Sequence, residues 1–156
     1  MTEPVSLRRA ASTDAPAIRD LSRTAYAKWV PLIGREPMPM TADYDRAVTE
    51  HIIDLVEERG ELLALIEMVP APDHLLIENI AVRPDQQGRG LGDLLLRHAE
   101  TLALSMEFAQ TQLYTNAAFV SNLAFYSKRG YEEYRRETVV SGSTGIFMRK
   151  KLTGEA

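Results

Sequence analysis

The sequence predicts an α/β sandwich in which about four helices flank a mixed, mostly antiparallel sheet of six to seven strands. The first observation is a group of three apolar segments, at residues 52–58, 61–69 and 74–82, separated only by the turn sequences RG and PAPD. Strand patterns joined by such short turns indicate an antiparallel meander. The second observation is that segments with helical periodicity stand both before and after this meander.

The segments before the meander predict a short strand and two helices. Residues 5–10 have a strand pattern, and residues 12–30 have apolar side chains spaced for one helical face, with Ser12 or Thr13 as the N-terminal cap. The next segment, PLIGREPMPM, contains three prolines and one glycine and therefore predicts a loop. The following segment, TADYDRAVTEHI, predicts a second helix capped by Thr41.

After the meander, helical and strand patterns alternate. They predict, in order, a helix at residues 90–107, a strand at 109–115, a short helix at 119–130 and a final hairpin of strands at 131–140 and 145–152. Gly130 is expected to end the short helix as its C′ residue. The elements follow one another without a linker, which predicts one domain spanning residues 1–156.

Composition is that of an ordinary globular protein and argues against several kinds of site. Hydrophobic residues make up 45% and charged residues 26%, and the net charge of −4 argues against a nucleic-acid or anionic-membrane partner. Cysteine is absent from the sequence, which excludes a disulfide framework, a thiolate zinc site and a cysteine nucleophile. The three histidines are scattered, so no metal site is expected. The N-terminal residues lack an apolar signal segment, which predicts a cytoplasmic protein.

The segment IAVRPDQQGRGLGDLLLRHAE, residues 80–100, places three glycines between an apolar strand and a leucine-rich helix. Glycine weakens a helix start, so Gly88, Gly90 and Gly92 require a separate explanation. Free N–H groups at a helix N-terminus form an anion site, and glycine lets phosphate oxygens approach the backbone. The alternating glycines match neither the Rossmann pattern nor the P-loop pattern, which favours a different diphosphate ligand. A tight turn between strand and helix is the alternative.

Two motifs resemble the GCN5-related N-acetyltransferase superfamily. VRPDQQGRGLG is similar to the family's acetyl-CoA loop, whose pattern Gln/Arg-x-x-Gly-x-Gly/Ala is matched by Gln87, Gly90 and Gly92. YTNAAFVSNLAFYSKRGYEEYRR resembles the family's strand–helix segment, in which an Asn and a Tyr lie four residues apart and precede Gly-Tyr or Gly-Phe. Asn122 and Tyr126 match that pair. The predicted order of elements also resembles the family fold over nearly the whole chain.

The resemblance implies that acetyl-CoA is the cosubstrate, and it identifies candidate residues for binding it. The backbone of Ile80, Ala81 and Val82 would pair with the pantetheine arm. Asn122 would contact the pantetheine as well, unless it is simply a surface or capping residue. The backbone amides of one segment would bind the pyrophosphate, with the Arg89 side chain as a further phosphate ligand. That segment comprises Gln87, Gly88, Arg89, Gly90, Leu91 and Gly92.

The resemblance also implies two catalytic roles. Tyr126 matches a tyrosine that protonates the departing CoA thiolate as a general acid, whereas packing in the core is the alternative role. Glu78 interrupts the otherwise apolar strand LLIENIAV and is the candidate base that removes a proton from the attacking amine, directly or through water. The alternative for Glu78 is an ion pair with an arginine or a solvent-facing position on the sheet.

The acceptor would bind where the first two helices, the segment between them and the last hairpin meet. The candidate pocket residues are Trp29, Arg35, Met38, Tyr44 and Tyr114. An apolar wall with a few charges fits a small amine, or an amino acid whose carboxylate pairs with Arg35. The alternative is that these side chains seal the core or form the contact of a homodimer.

The sequence therefore predicts an N-acetyltransferase that moves an acetyl group to a primary amine within a ternary complex. Direct attack is expected because the sequence holds no cysteine to carry the acetyl group. One alternative is a sensor or interaction module that binds acyl-CoA without turnover. Another is a dinucleotide-binding oxidoreductase domain, which would bind NAD in place of CoA.

Overall fold

One sheet of seven strands organises the residues that the structure, a computed structural model, describes: 5–138 and 143–152. The strands are β1 (Ser6–Arg9), β2 (Ile52–Glu58), β3 (Glu61–Pro70), β4 (Leu75–Val82), β5 (Gln110–Asn116), β6 (Glu132–Thr138) and β7 (Thr144–Lys151). In the sheet they lie in the order β1-β2-β3-β4-β5-β7-β6. The predicted mixed α/β fold, with its meander at β2, β3 and β4, is confirmed.

The helices of the described residues are α1 (Ala15–Tyr26), α2 (Val30–Ile33), α3 (Met38–Thr41), α4 (Tyr44–Glu50), α5 (Leu91–Ser105) and α6 (Val120–Lys128). The segment predicted as one helix at residues 12–30 is in fact divided. A 3-10 turn precedes α1, and a second 3-10 turn, Ala27–Trp29, separates α1 from α2. No helix within these ranges is long and apolar enough to cross a membrane.

The prediction of a loop for PLIGREPMPM is wrong, because the one-turn helices α2 and α3 occupy most of it. Pro31 and Pro39 stand in the first turns of α2 and α3, where the missing N–H removes no intrahelical hydrogen bond. Gly34 ends α2 with a φ of +74°, in the left-handed region that glycine adopts without strain. The segment between the first and second predicted helices is therefore a compact turn with its own helical structure.

The hydroxyl caps that the sequence predicted for the first helices are not used: α1 has no side-chain cap, and the cap of α4 is Asp43. The Asp43 carboxylate accepts a hydrogen bond from the Arg46 amide at 3.1 Å, so α4 begins after Thr41 and not at it. Before α1, the Asp14 carboxylate accepts a hydrogen bond from the Ala11 amide at 2.7 Å. A carboxylate is the stronger acceptor for a backbone N–H and also complements the positive end of the helix dipole.

Strands β4 and β5 form a parallel pair for only three residues. Leu75 to Ile77 pair with Thr111 to Leu113, and the register ends there. The other neighbouring strands of the described sheet pair antiparallel, in most cases along most of their length. The second half of β4 and the end of β5 therefore diverge, and a gap enters the middle of the sheet from one end.

A β-bulge lies at the point where this gap begins. In the β3–β4 pair, Glu67 is opposite Asn79 and Met68 is opposite Ile77, so Glu78 is the extra residue of β4. A bulge changes the direction of a side chain and increases the local twist. The same residue therefore marks both the irregularity of β4 and its separation from β5.

Two apolar clusters pack on opposite sides of the sheet. One contains α5 residues such as Leu95, Leu96 and Ala99 together with inward-facing residues of β3, β4, β5 and β7. The other contains α1 and α4 residues such as Ile18 and Tyr44 against β2 and β3. Helices therefore cover both faces of the sheet around the gap.

We expect Leu95→Ala to lower the free energy of unfolding by about 2–5 kcal/mol, because it empties a fully buried position on α5. The matched control is Leu104→Ala on the same helix, where the side chain is 40% exposed. That change should stay within about 0.5 kcal/mol of the parent protein. Urea unfolding of both variants measures the difference. Equal losses would contradict the assignment of the α5 face that packs on the sheet.

Candidate active site

The glycine segment between β4 and α5 presents a row of unpaired backbone N–H groups. Gly88 and Gly90 have φ values of +88° and +80°, which lie in the left-handed region. In the described parts of the chain, the amides of residues 88–92 have no hydrogen-bond acceptor. A Cβ added at Gly88 or Gly90 would meet nothing within 4 Å. The two glycines therefore shape the backbone, and the space beside them is open, as an anion site at a helix N-terminus requires.

Gly92 lacks a side chain for a different reason. A Cβ at this position would lie 3.1 Å from Cζ of Phe125, so the glycine allows α5 to approach α6 closely. The Arg129 guanidinium lies over the Phe125 ring at 3.7 Å and forms an ion pair with Asp93 at 2.9 Å. We call Gly92, Asp93, Phe125 and Arg129 the helix clamp. It fixes the start of α5 against α6.

The remaining side chains of the glycine segment have defined positions. The backbone N–H of Gln87 donates one long hydrogen bond, 3.5 Å, to the Pro84 carbonyl. Arg89 forms an ion pair with Glu58 at 2.9 Å, so its guanidinium reaches a phosphate only by leaving that partner. The Leu91 side chain is buried and anchors the first turn of α5 in the core.

The gap between β4 and β5 leads into a cavity of about 580 Å³. Residues 78–82 of β4 have no strand partner on the side that faces β5. Ile80 lines the cavity, while Ala81 and Val82 continue the strand toward the glycine segment. The Ile80 carbonyl accepts a hydrogen bond from the Tyr26 hydroxyl at 3.1 Å. An extended ligand can therefore lie along this free edge, between the open N–H groups and the cavity.

Both predicted catalytic side chains line this cavity, together with Asn122 and Tyr114. The Tyr114 hydroxyl donates a hydrogen bond to Oε1 of Glu78 at 3.3 Å. Burial raises the pKa of Tyr126 to about 12, so this phenol is protonated at neutral pH. Within the described residues, neither the Tyr126 hydroxyl nor the side-chain carboxamide of Asn122 has a hydrogen-bond partner. A carboxylate acceptor and an available hydroxyl donor thus share one cavity.

The structure brings only some of the predicted acceptor residues to the cavity surface. Met38, Arg35 and Tyr114 line the cavity. The Trp29 ring instead stacks on Phe119, which lines the cavity, with ring centroids 4.3 Å apart. Trp29 is therefore separated from the cavity by another aromatic ring.

Tyr44 is fully buried and supports the wall of the cavity from within. Its hydroxyl donates a hydrogen bond to the Pro39 carbonyl at 2.6 Å and accepts one from Nδ2 of Asn79 at 3.3 Å. Pro39 and Asn79 both line the cavity. Burial raises the pKa of Tyr44 to about 12. The ring and its hydroxyl thus connect α3 with β4.

A second cavity, of about 390 Å³, adjoins the first and contains a glutamate–histidine pair that sequence reasoning missed. Both cavities share Glu78 and Tyr114 among their lining residues. In the second cavity, Oε2 of the buried Glu67 lies 2.6 Å from Nδ1 of His51, and burial raises the Glu67 pKa. The available signal was the same as for Glu78, since Glu67 interrupts the apolar strand ELLALIEMVP.

The described residues contain no group of three or more His, Asp or Glu side chains arranged to hold a metal ion. The charged residues that line the first cavity are Arg35, Glu78 and Glu137. Apolar and aromatic side chains make up much of the rest, as is usual for sites that bind small molecules. The chemistry of the cavity therefore depends on a few polar groups at defined positions.

Several solved structures with the same fold are acetyltransferases. A PaiA N-acetyltransferase from Thermoplasma acidophilum in complex with coenzyme A is 15% identical, with a TM-score of 0.81 over 96% of this chain and 100% of that one. A ribosomal-protein-alanine N-acetyltransferase from Escherichia coli is 20% identical, with a TM-score of 0.78 over 98% and 97%. A GNAT family acetyltransferase from Elizabethkingia anophelis with acetyl-CoA bound is 16% identical, with a TM-score of 0.71 over 97% and 100%.

No curated protein sequence matches the chain significantly. The family model of the acetyltransferase (GNAT) family, in contrast, matches residues 16–131, which is well over half of the chain. The matched region includes α1, the meander, the glycine segment and α6. The chain thus belongs to the GNAT acetyltransferase family, as the two motifs predicted.

Proposed function

We propose that this protein transfers the acetyl group of acetyl-CoA to the primary amine of a small or amino-acid-like molecule, by direct attack in a ternary complex. The observation that carries the proposal is the arrangement around the second half of β4. This part of the strand has no strand partner on the β5 side and begins at a cavity lined by Glu78 and Tyr126. The open N–H groups of residues 88–92 follow it in the chain. Family membership supports the acetyl donor.

In this proposal, the pyrophosphate of CoA binds the amides of the glycine segment. The positive end of the α5 dipole adds to their attraction for the two phosphate charges. The pantetheine arm lies along residues 80–82, where its amide groups take the place of the missing strand. Asn122, whose side chain is without an intramolecular partner in the described structure, contacts the same arm. The thioester then reaches the cavity near Tyr126.

The chemical step uses two side chains of the cavity. Glu78 removes a proton from the acceptor ammonium, directly or through one water molecule, and the neutral amine attacks the thioester carbonyl carbon. A C–N bond forms, the tetrahedral intermediate breaks its C–S bond, and the electron pair leaves on sulfur. Tyr126 donates its hydroxyl proton to that thiolate as the general acid. The amide nitrogen loses its remaining extra proton to water, and water later returns one proton to the Tyr126 phenolate formed when the thiolate is protonated. The raised pKa of Tyr126, about 12, keeps this proton in place until the thiolate departs.

Direct transfer is the simplest route because the sequence contains no cysteine that could carry the acetyl group. The alternative function is an acyl-CoA sensor that binds without turnover. The unpartnered Tyr126 hydroxyl and the placement of Glu78 at a bulge support an enzyme, since a sensor needs neither group.

Release of free thiol from acetyl-CoA with a panel of primary amines tests the proposed function. We expect at least one amine to increase thiol release well above the rate of spontaneous hydrolysis. Thermal stabilisation by CoA without thiol release from any amine would instead support the sensor. Stabilisation by NAD and not by CoA would contradict the cofactor assignment.

We expect Gly90→Leu to weaken CoA binding by about tenfold or more, since losing one charge-assisted hydrogen bond removes about 1.5–3 kcal/mol. The control is Gly34→Leu, at a glycine with a similar φ and equally open surroundings that ends α2, outside the glycine segment. Both changes introduce about 1–2 kcal/mol of left-handed strain. Titration calorimetry with CoA compares the two. Unchanged affinity in Gly90→Leu would exclude the glycine segment as the phosphate site.

We expect Tyr126→Phe to lower kcat by about a hundredfold with little change in KM, because the lost proton donation belongs to the transition state. Since the pKa of Tyr126 is about 12, its ionisation should not produce an alkaline limb in the pH–rate profile below about pH 11. Tyr134→Phe on β6 is the control, because that hydroxyl bonds Gln112 at the surface. An unchanged kcat in Tyr126→Phe would leave the ring with a packing role only.

We expect Glu78→Gln to lower kcat/KM by about a hundredfold, because a carboxamide cannot accept the proton of the attacking amine. Steady-state kinetics at saturating acetyl-CoA measures the change. Glu61→Gln at the start of β3 is the control, since Glu61 is exposed and pairs with Arg83. An unchanged kcat/KM in Glu78→Gln would assign proton removal to another group.

A further inference from the structure

Arg35 is a cation in the wall of the first cavity. It follows Gly34, between the one-turn helices α2 and α3, and is half-buried. The same cavity contains Glu78 and Tyr126, the two residues proposed for chemistry. The turn formed by α2 and α3 therefore places a guanidinium at the surface that the acceptor would occupy.

The Arg35 guanidinium has no carboxylate partner among the described residues. Its Nη2 donates one hydrogen bond, to Oγ of Ser143 at 3.2 Å. Its Nε is buried and has no hydrogen-bond partner. Other arginines of the chain, such as Arg23 and Arg46, pair with glutamates at the surface. Among the arginines in the described part of the chain, Arg35 alone combines partial burial, a cavity position and an unsatisfied donor.

An unpaired guanidinium that is partly removed from water is unfavourable unless a ligand supplies the counter-charge. The planar fork of arginine fits a carboxylate with two parallel hydrogen bonds. The two carboxylates that line the same cavity, Glu78 and Glu137, do not supply this counter-charge. Glu78 accepts from the Tyr114 hydroxyl, and Glu137 pairs with Arg135 at 3.5 Å. The Arg35 guanidinium and the Glu78 carboxylate thus complement a zwitterionic ligand, which carries a negative and a positive group.

We propose that the acceptor is a free amino acid whose carboxylate binds the Arg35 guanidinium while its amine reaches Glu78. This inference rests on the proposed function. A cavity of about 580 Å³ must also admit the thioester end of acetyl-CoA, which leaves space for a small zwitterion. A simple alkylamine would leave the Arg35 charge unpaired, and an amino-acid amide would present no anion to it.

Matched acceptors test the proposal. Each amino acid of a panel is compared with its amide and with the amine that lacks the carboxylate, under saturating acetyl-CoA. We expect kcat/KM to be about tenfold to hundredfold higher for the amino acids, mainly through KM, as charge-assisted hydrogen bonds predict. Equal kcat/KM values for the amino acids and for their amides and amines would overturn the inference and leave the proposed acetyl transfer intact.

Variants of Arg35 separate carboxylate binding from folding and from cofactor binding. Arg35→Gln should remove the preference for amino acids, and Arg35→Lys should restore part of it, while the affinity for CoA stays unchanged. Arg19→Gln is the matched control, because Arg19 pairs with Asp45 at the surface. Retention of the full preference in Arg35→Gln would overturn the inference.

If no acceptor is acetylated, calorimetry distinguishes failure of the proposed acetyl transfer from failure of the proposed carboxylate site at Arg35. The measurement is binding of the same amino acids to the CoA-loaded protein and to its Arg35→Gln variant. Binding that requires Arg35, without any thiol release, would refute the transferase function and retain the carboxylate site. Absence of both binding and turnover would refute both proposals.

Discussion

The parting of β4 from β5 is the constraint on which the arrangement of the whole site depends. Strand pairing ends at Ile77 and Leu113, and from there the edge of β4 that faces β5 lacks a strand partner. An unpaired edge inside a sheet is unfavourable unless something else satisfies its polar groups. The bulge at Glu78 adds twist at the same point and turns a carboxylate toward the gap. The cavity, the free edge and the candidate base thus have one structural origin.

The start of α5 shows how local instability and tertiary packing balance each other. Gly88 and Gly90 make a poor helix start, but they leave the N–H groups accessible. Stability is regained one turn later, where Leu91 and Leu95 are buried in the apolar cluster under the sheet. A segment that binds an anion can therefore remain open without loosening the helix that follows it.

The sequence predicted the features that depend on neighbouring residues. The meander follows from alternating apolar segments and short turns, and the end of α6 follows from Gly130, which has a φ of +94°. Features that depend on distant residues were not predictable. The one-turn helix α3 lies in a proline-rich segment and is held by Tyr44 and Arg23, which donate hydrogen bonds to the carbonyls of Pro39 and Met40. The pairing of Glu67 with His51 likewise depends on the register between strands, which no local pattern reveals.

The helix clamp has a consequence for how the protein can vary. Asn122 and Tyr126 lie on α6, whereas the amides proposed to bind phosphate lie at the start of α5. The Phe125 ring lies between the two helices and contacts Gly92 without room for a side chain there. A methyl group at Gly92 would displace the Phe125 ring and, with it, the neighbouring Tyr126 on α6. Substitutions in the clamp should therefore change the distance between the proposed phosphate site and Tyr126 without contacting either proposed substrate.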